Sequence, residues 1–323
     1  MAHELEIVDG KANMAYAGDV PWHGLGTKVP SDLAPEQMLK AAGLDWTVEK
    51  RQMSFKTETG EKLTNEYALV RSTDDKHLTT VSSQWNPVQN IEAFEFFNDF
   101  VLTGDMEMHT AGSLKGGRMV WAMAQIKDSF ELFGGDRVEG YLLFSNPHEF
   151  GRSIDIRFTP VRVVCNNTLT MALGDDTRHS VKINHRQRFD ADEIKSVLGI
   201  AGERLQKYKE QAEFLGNKKY SKETITEYFN RIFPSHSKDE NKPSKTAFPI
   251  SRHATEAMDV LVTQPGANFA EGSWWSGFNA VTYMTDHTLG RSVDSRLTSA
   301  WYGLNRAKKE KALELAIEYA EMA

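Results

Sequence analysis

The chain has 323 residues, 40% hydrophobic and 26% charged, with a net charge of −7 and a pI near 5.8. Those totals fit a soluble globular protein of one large domain or two ordinary ones, and they exclude a protein that coats nucleic acid by bulk charge. No apolar run approaches the roughly 20 residues that span a bilayer, the N-terminal stretch carries acids where a signal peptide is basic and apolar, and Cys165 is alone, so neither an intrachain disulfide nor a CxxC metal site can form. The expected location is cytoplasmic.

Residues 1–45 read as an N-terminal loop and one helix. PWHGLG at 21–26 has the glycines of a tight turn with Trp22 tucked in; Ser31 or Asp32 caps a helix that runs through about Gly43. From residue 46 the pattern turns to strands. WTVEKRQMSFKT (46–57) and NEYALVRST (65–73) flank a TGEK turn as a hairpin, and HLTTVSSQWNPVQN (77–90) is a third strand ending at Pro87. The spacing of Ile91, Phe94, Phe97 and Val101 predicts one helix over 91–102. Residues 118–126 and 138–148 read as buried strands separated by the FGGDR turn.

From Asp190 the chain reads as helical: 191–217, 221–234 with Ser221 as its cap, 251–263, a segment within 268–286, and 308–322. Residues 235–245 are polar and proline-bearing, a flexible loop. The layout is therefore α+β: a mainly antiparallel sheet in a β-rich core at 46–189, then a helical C-terminal region at 190–323. The strand connections are too short for parallel crossovers.

Residues 152–188 carry seven basic residues against three acids, a local charge of +4 that leaves −11 for the remainder. Ile154, Ile156 and Phe158 alternate with Asp155 and Arg157, which predicts an apolar face and a charged one, with a kink at Thr159-Pro160. A basic strand face suits an anion, above all nucleic-acid phosphate; the other reading is a solvated face whose arginines pair with the chain's own acids. The candidate phosphate contacts are Arg157, Arg162, Lys182, Arg186 and Arg188, and the candidate base-stacking residues are Tyr141 and Phe158 if they point outward. Two aromatic pairs, Trp274-Trp275 and Trp301-Tyr302, stand in otherwise polar segments and suggest a homo-oligomer interface, the alternative being a helical core.

No nucleotide cradle of the GxGxxG or GxxxxGK[ST] type and no HExxH occurs, so no cofactor, no metal and no catalytic residue is expected. GSLKGGR (112–118) reads as a β-turn. Cys165 among valines reads as an inert core residue, and His179 and His185 as hydrogen-bonding groups; an enzyme acting through these three ranks last.

PWHGLG (21–26), FSNPH (144–148), TPVRVVCNNTL (159–169), RHSVKINH (178–185) and WWSGFNAVTYMTDH (274–287) together resemble, in this order, a phage/plasmid-like protein family built on a domain of unknown function (DUF932-like). The resemblance runs from about residue 20 to the C-terminus and implies a mobile-element origin in a bacterial host, without an established activity. The sheet-then-helices layout is similar to that of RecT/Redβ-type annealing proteins, by layout alone. The expected function is binding of nucleic acid, above all single-stranded DNA, with strand annealing as an extension and a homo-oligomer as the working form. The alternative is a phage-encoded interaction protein that sequesters a host component. No membrane partner is expected.

Overall fold

The computed structural model describes residues 5–21, 24–162, 167–168, 180–198, 201–235, 250–290 and 292–322. The fold is mixed α+β, with antiparallel sheets and C-terminal helices. The chain divides into two compact units. The first holds Met1–Lys127, Gly140–Phe158 and Asp176–Ala201; the second holds Asp128–Glu139, Thr159–Asp175 and Gly202–Ala323.

The N-terminal segment of the first unit is more than a loop. Short strands β1 (Ile7–Val8) and β2 (Lys11–Ala12) pair with each other, and β3 (Met14–Tyr16) joins the main sheet, with β4 (Thr27–Lys28) parallel to it. Helix α1 (Pro35–Ala41) starts later than Ser31 or Asp32. Pro35 fills a first-turn position where no N–H is needed, and the Gln37 side chain accepts the Ala34 N–H at 2.9 Å. Gly43, at φ +68°, ends it.

Strands β5 (Val48–Thr57), β6 (Gly60–Arg71) and β7 (His77–Ser82) form a separate antiparallel sheet of three strands, joined at the expected hairpin. The predicted single helix at 91–102 is two short ones, α2 (Asn90–Glu95) and α3 (Asn98–Leu102). Phe94, Phe96 and Phe97 are all buried. Adjacent positions on one straight helix point about 100° apart, so the break between the helices lets both Phe96 and Phe97 turn inward.

The main sheet is built on β8 (Met106–Leu114), β9 (Met119–Leu132), β10 (Asp136–Pro147) and β11 (Ile154–Arg162). In the first unit β3 pairs β8, β8 pairs β9, and β13 (Ser180–Ile183) pairs β11. The GSLKGGR turn is the β8–β9 connection, with Gly116 and Gly117 at positive φ.

The alternation expected of β11 is absent, because residues 154–160 are buried on both faces. Arg157 is therefore not an open phosphate contact. Its Nε donates to Asp155 Oδ1 at 3.0 Å, two residues away on the same face, and both side chains are nearly inaccessible. Phe158 is also buried, its ring lying over Gly140, where a Cβ would sit 2.9 Å from it. Tyr141 is buried edge-on to His109. Neither ring can stack on a base.

The second unit contains β12 (Asn167–Thr168), paired with the end of β11, and helices α5 (Ala201–Asn217), α6 (Lys222–Ile232), α7 (Arg252–Thr263), α8 (Trp274–Tyr283), α9 (Val293–Tyr302) and α10 (Leu304–Met322). Helix α4 (Ala191–Leu198) belongs to the first unit. Ser221 caps α6 as expected, accepting Thr224 N–H at 3.1 Å. Trp274 and Trp275, expected at an interface between subunits, are each 1% exposed within this one chain. Trp274 stacks on Tyr319 at 5.1 Å, and Trp275 Nε1 donates to Asp136 Oδ2 at 3.0 Å. Side chains this large fill a core before they are free for a partner. Past α8, Asn305 donates to the Thr285 and Leu289 carbonyls, and buried Lys309 pairs with Asp286 at 2.8 Å, so the end of α8 is tied to α10.

The Asp155–Arg157 pair makes a stability prediction. Arg157→Ala leaves a carboxylate buried beside its lost partner and should cost about 3–5 kcal/mol in urea unfolding. Replacing both residues by leucine should cost less than the single change. Equal or greater loss in the double variant would show that the pair is not what holds this part of the strand.

Candidate functional site

Three cations of the predicted set remain exposed: Lys182, Arg186 and Arg188. None of them forms an ion pair among the described residues. The Arg162 side chain, Cys165 and His179 lie outside the described residues, as do Trp22 and His23. Trp301 and Tyr302 are half-buried, their rings edge to face at 6.1 Å.

The three cations share one end of the β11–β13 pair. Ile154 stands opposite Ile183, so the turn before β11 and the segment after β13 leave the sheet together. After Ile183 the backbone turns at once: Asn184 Oδ1 accepts Arg186 N–H at 3.1 Å and the Asn184 carbonyl accepts Gln187 N–H at 2.9 Å. An Asx turn of this kind sends neighbouring side chains in opposite directions. His185 goes inward, and Arg186 goes out to solvent.

His185 is fixed from two sides. Its ring stacks on Trp85 at 3.9 Å, its Nδ1 donates to the Asn86 carbonyl at 3.1 Å, and its own carbonyl accepts Asn86 N–H at 2.8 Å. A second histidine fixes the turn on the other side. His148 is 0% exposed, and its N–H donates to the Arg118 carbonyl at 2.8 Å. Its Nε2 lies 2.9 Å from Asn90 Oδ1, while Asn90 Nδ2 donates to the carbonyls of Leu44 and Trp46. Because the Asn90 amide nitrogen is spent on carbonyls, its oxygen must accept, so His148 carries its proton on Nε2. Among the described residues His148 Nδ1 then has no partner, nor does Asn146 Oδ1 close by in sequence. Asn146 Nδ2 donates to the Val88 carbonyl at 2.9 Å. The segment 85–90 thus serves as the common anchor for both elements that frame the cations.

Burial sets the charge of both rings. It pushes the His148 imidazole down to about 3, with the nearby His185 adding to the effect. Burial also lowers His185, against the Asn86 and Pro147 carbonyls that favour its charged form. Both are neutral at physiological pH.

One exposed aromatic stands at this sheet end that the sequence reading passed over. Phe150, in the turn between β10 and β11, is 65% exposed. Its N–H donates to Thr79 Oγ1 at 3.4 Å, and Glu149 and Arg152 close an ion pair across the turn at 3.0 Å. The signal was in FSNPHEFG: a turn marked by Asn-Pro and Gly151 puts a large apolar side chain where nothing can cover it.

Residues 77–301 match the model of a family described as a domain of unknown function, DUF932. The chain belongs to this family. The match takes in β7, the segment 85–90, the whole β10–β11 turn and the residues after β13. No curated protein and no solved structure matches the chain. Within this DUF932 chain, no group of three His, Cys, Asp or Glu among the described residues could hold a metal, and no described helix is long and apolar enough to cross a membrane.

The neutral, buried histidines give this chain a defined acid sensitivity. Below the ordinary imidazole pKa of about 6.5 the unfolded chain binds protons that the folded chain refuses, so stability is complete above that pH and falls toward pH 3. His148 contributes up to about 1.4 kcal/mol per pH unit in that window. The unfolding free energy should therefore fall between pH 6.5 and 5, and His148→Gln should flatten the slope by close to one proton. An unchanged slope in the variant would mean that His148 takes up its proton without unfolding.

Proposed function

We propose that this DUF932 chain binds single-stranded nucleic acid at the sheet end bearing Lys182, Arg186 and Arg188. The observation that carries the reading is the pairing of exposed cations, without an ion pair among the described residues, with a backbone fixed by buried hydrogen bonds. Lys182, Arg186 and Arg188 stand exposed within seven residues of chain, close enough together for a polyanion to be gripped. The cations sit on strand β13 and on a closed turn, so little side-chain-bearing backbone must be ordered on binding. Strand annealing and a mobile-element origin extend this reading; an oligomer built through the half-buried Trp301 and Tyr302 would string such sites together. The second reading, capture of an acidic host protein, uses the same cations and would show as binding that nuclease does not remove.

The test is fluorescence anisotropy with a labelled single-stranded oligonucleotide across a salt series. Three phosphate contacts give a slope of log affinity against log salt of about −2, at roughly 0.7 per contact on a single strand. Changing Lys182, Arg186 and Arg188 together to alanine should abolish that slope and most of the binding while leaving the melting temperature within a few degrees. Absence of binding by the unaltered chain at low salt contradicts the proposal, and so does full binding by the triple variant.

A further inference from the structure

We infer that Phe150 stacks on an unpaired base of the strand whose phosphates meet Lys182, Arg186 and Arg188. The inference rests on the reading just proposed and makes it specific for single strands over duplex.

The register brings the segments that bear Phe150 and the cations to the same end of the sheet. Ile154 faces Ile183, so the turn bearing Phe150 and the segment bearing Arg186 and Arg188 leave the same end of the sheet. The turn is stiff. His148, two residues before Phe150, is wholly buried and bonded through both its backbone and its ring; Thr79 accepts the Phe150 N–H; and Glu149 pairs with Arg152. A ring held on fixed backbone and left 65% exposed loses little freedom when a flat ligand covers it.

A single exposed phenylalanine is ordinary on a protein surface. An exposed phenylalanine on a rigid turn, at the sheet end where three exposed cations stand, matches what single-strand binders use: cations along the backbone and an aromatic face under a base. Stacking needs a base out of its pair, because a duplex shows its base faces only to neighbouring pairs. The rings first expected in this role, Tyr141 and Phe158, are buried in the sheet. Phe150 supplies the stacking face they do not.

The experiment compares the unaltered chain, Phe150→Ala, Phe150→Trp and the triple cation variant, each shown to be folded by circular dichroism. Three labelled probes are used at one salt concentration: a single-stranded oligonucleotide, the same length of abasic deoxyribose-phosphate strand, and a duplex. Stacking predicts that Phe150→Ala weakens the intact single strand about five- to hundred-fold. The same change should leave the abasic strand and the duplex within twofold, and Phe150→Trp should retain or exceed the original affinity. If Phe150→Ala binds the intact strand normally while the triple variant does not, stacking is wrong and the cation site stands. If Phe150→Ala loses the abasic strand and the intact strand equally, the ring only supports the turn, and the inference is again wrong. If the unaltered chain binds none of the probes, the nucleic-acid reading itself fails.

Discussion

The hydrogen bond between His148 and Asn90 is the constraint on which this end of the first unit depends. It joins residues 58 apart in sequence at 2.9 Å with no solvent access. The Asn90 amide nitrogen donates to the carbonyls of Leu44 and Trp46, so one amide ties the segment leading into the three-stranded sheet, the first turn of α2 and the end of β10 together. A buried polar network of this kind is costly when half-made and rigid when complete. Its neutral imidazole is the least expensive way to bring a polar ring into such a place, since a charged one would have to be desolvated. His185 repeats the arrangement on the neighbouring segment, with Trp85 as a stacking wall and Asn86 as a reciprocal backbone partner.

This rigidity explains how an acidic chain keeps a few cations in the open. Two of the five basic residues of 152–188 whose side chains are described are paired within the chain: Arg152 with Glu149 and Arg157 with Asp155. Lys182, Arg186 and Arg188 are left exposed because β13 and the Asx turn after it set the direction of their backbone. Within 152–188 these three are the cations without an ion pair among the described residues, and they are presented by backbone beside the two buried histidines.

The sequence showed the architecture more readily than the site. The hairpin at β5–β6, the turn at Gly116-Gly117, the Ser221 cap and the helical second half follow from local chemistry, and local chemistry is what a single sequence displays. The charged face of β11 was misread because period-two alternation does not say whether the polar face meets water. Asp155 and Arg157, two apart, neutralise each other within the sheet, and the alternating pattern looks the same either way. Trp274 and Trp275 looked too apolar for their surroundings until Asp136, Tyr208 and Tyr319 were seen to surround them from distant parts of the chain. His148 and His185 were visible in FSNPH and INH, but their partners at 86 and 90 are set by tertiary pairing alone. Phe150 was hidden for the opposite reason: its ring meets no aromatic or cationic partner among the described residues, and only its exposure marks it.

The central claim is that nucleic acid meets the chain at the sheet end framed by the β10–β11 turn and the segment after β13. Photo-crosslinking of the unaltered chain to a single-stranded oligonucleotide, followed by mass spectrometry of the joined peptides, tests it most directly. The account predicts that the crosslinked peptides come from residues 147–153 and 182–188. Crosslinks confined to the three-stranded sheet or to the helices after residue 202 would contradict it.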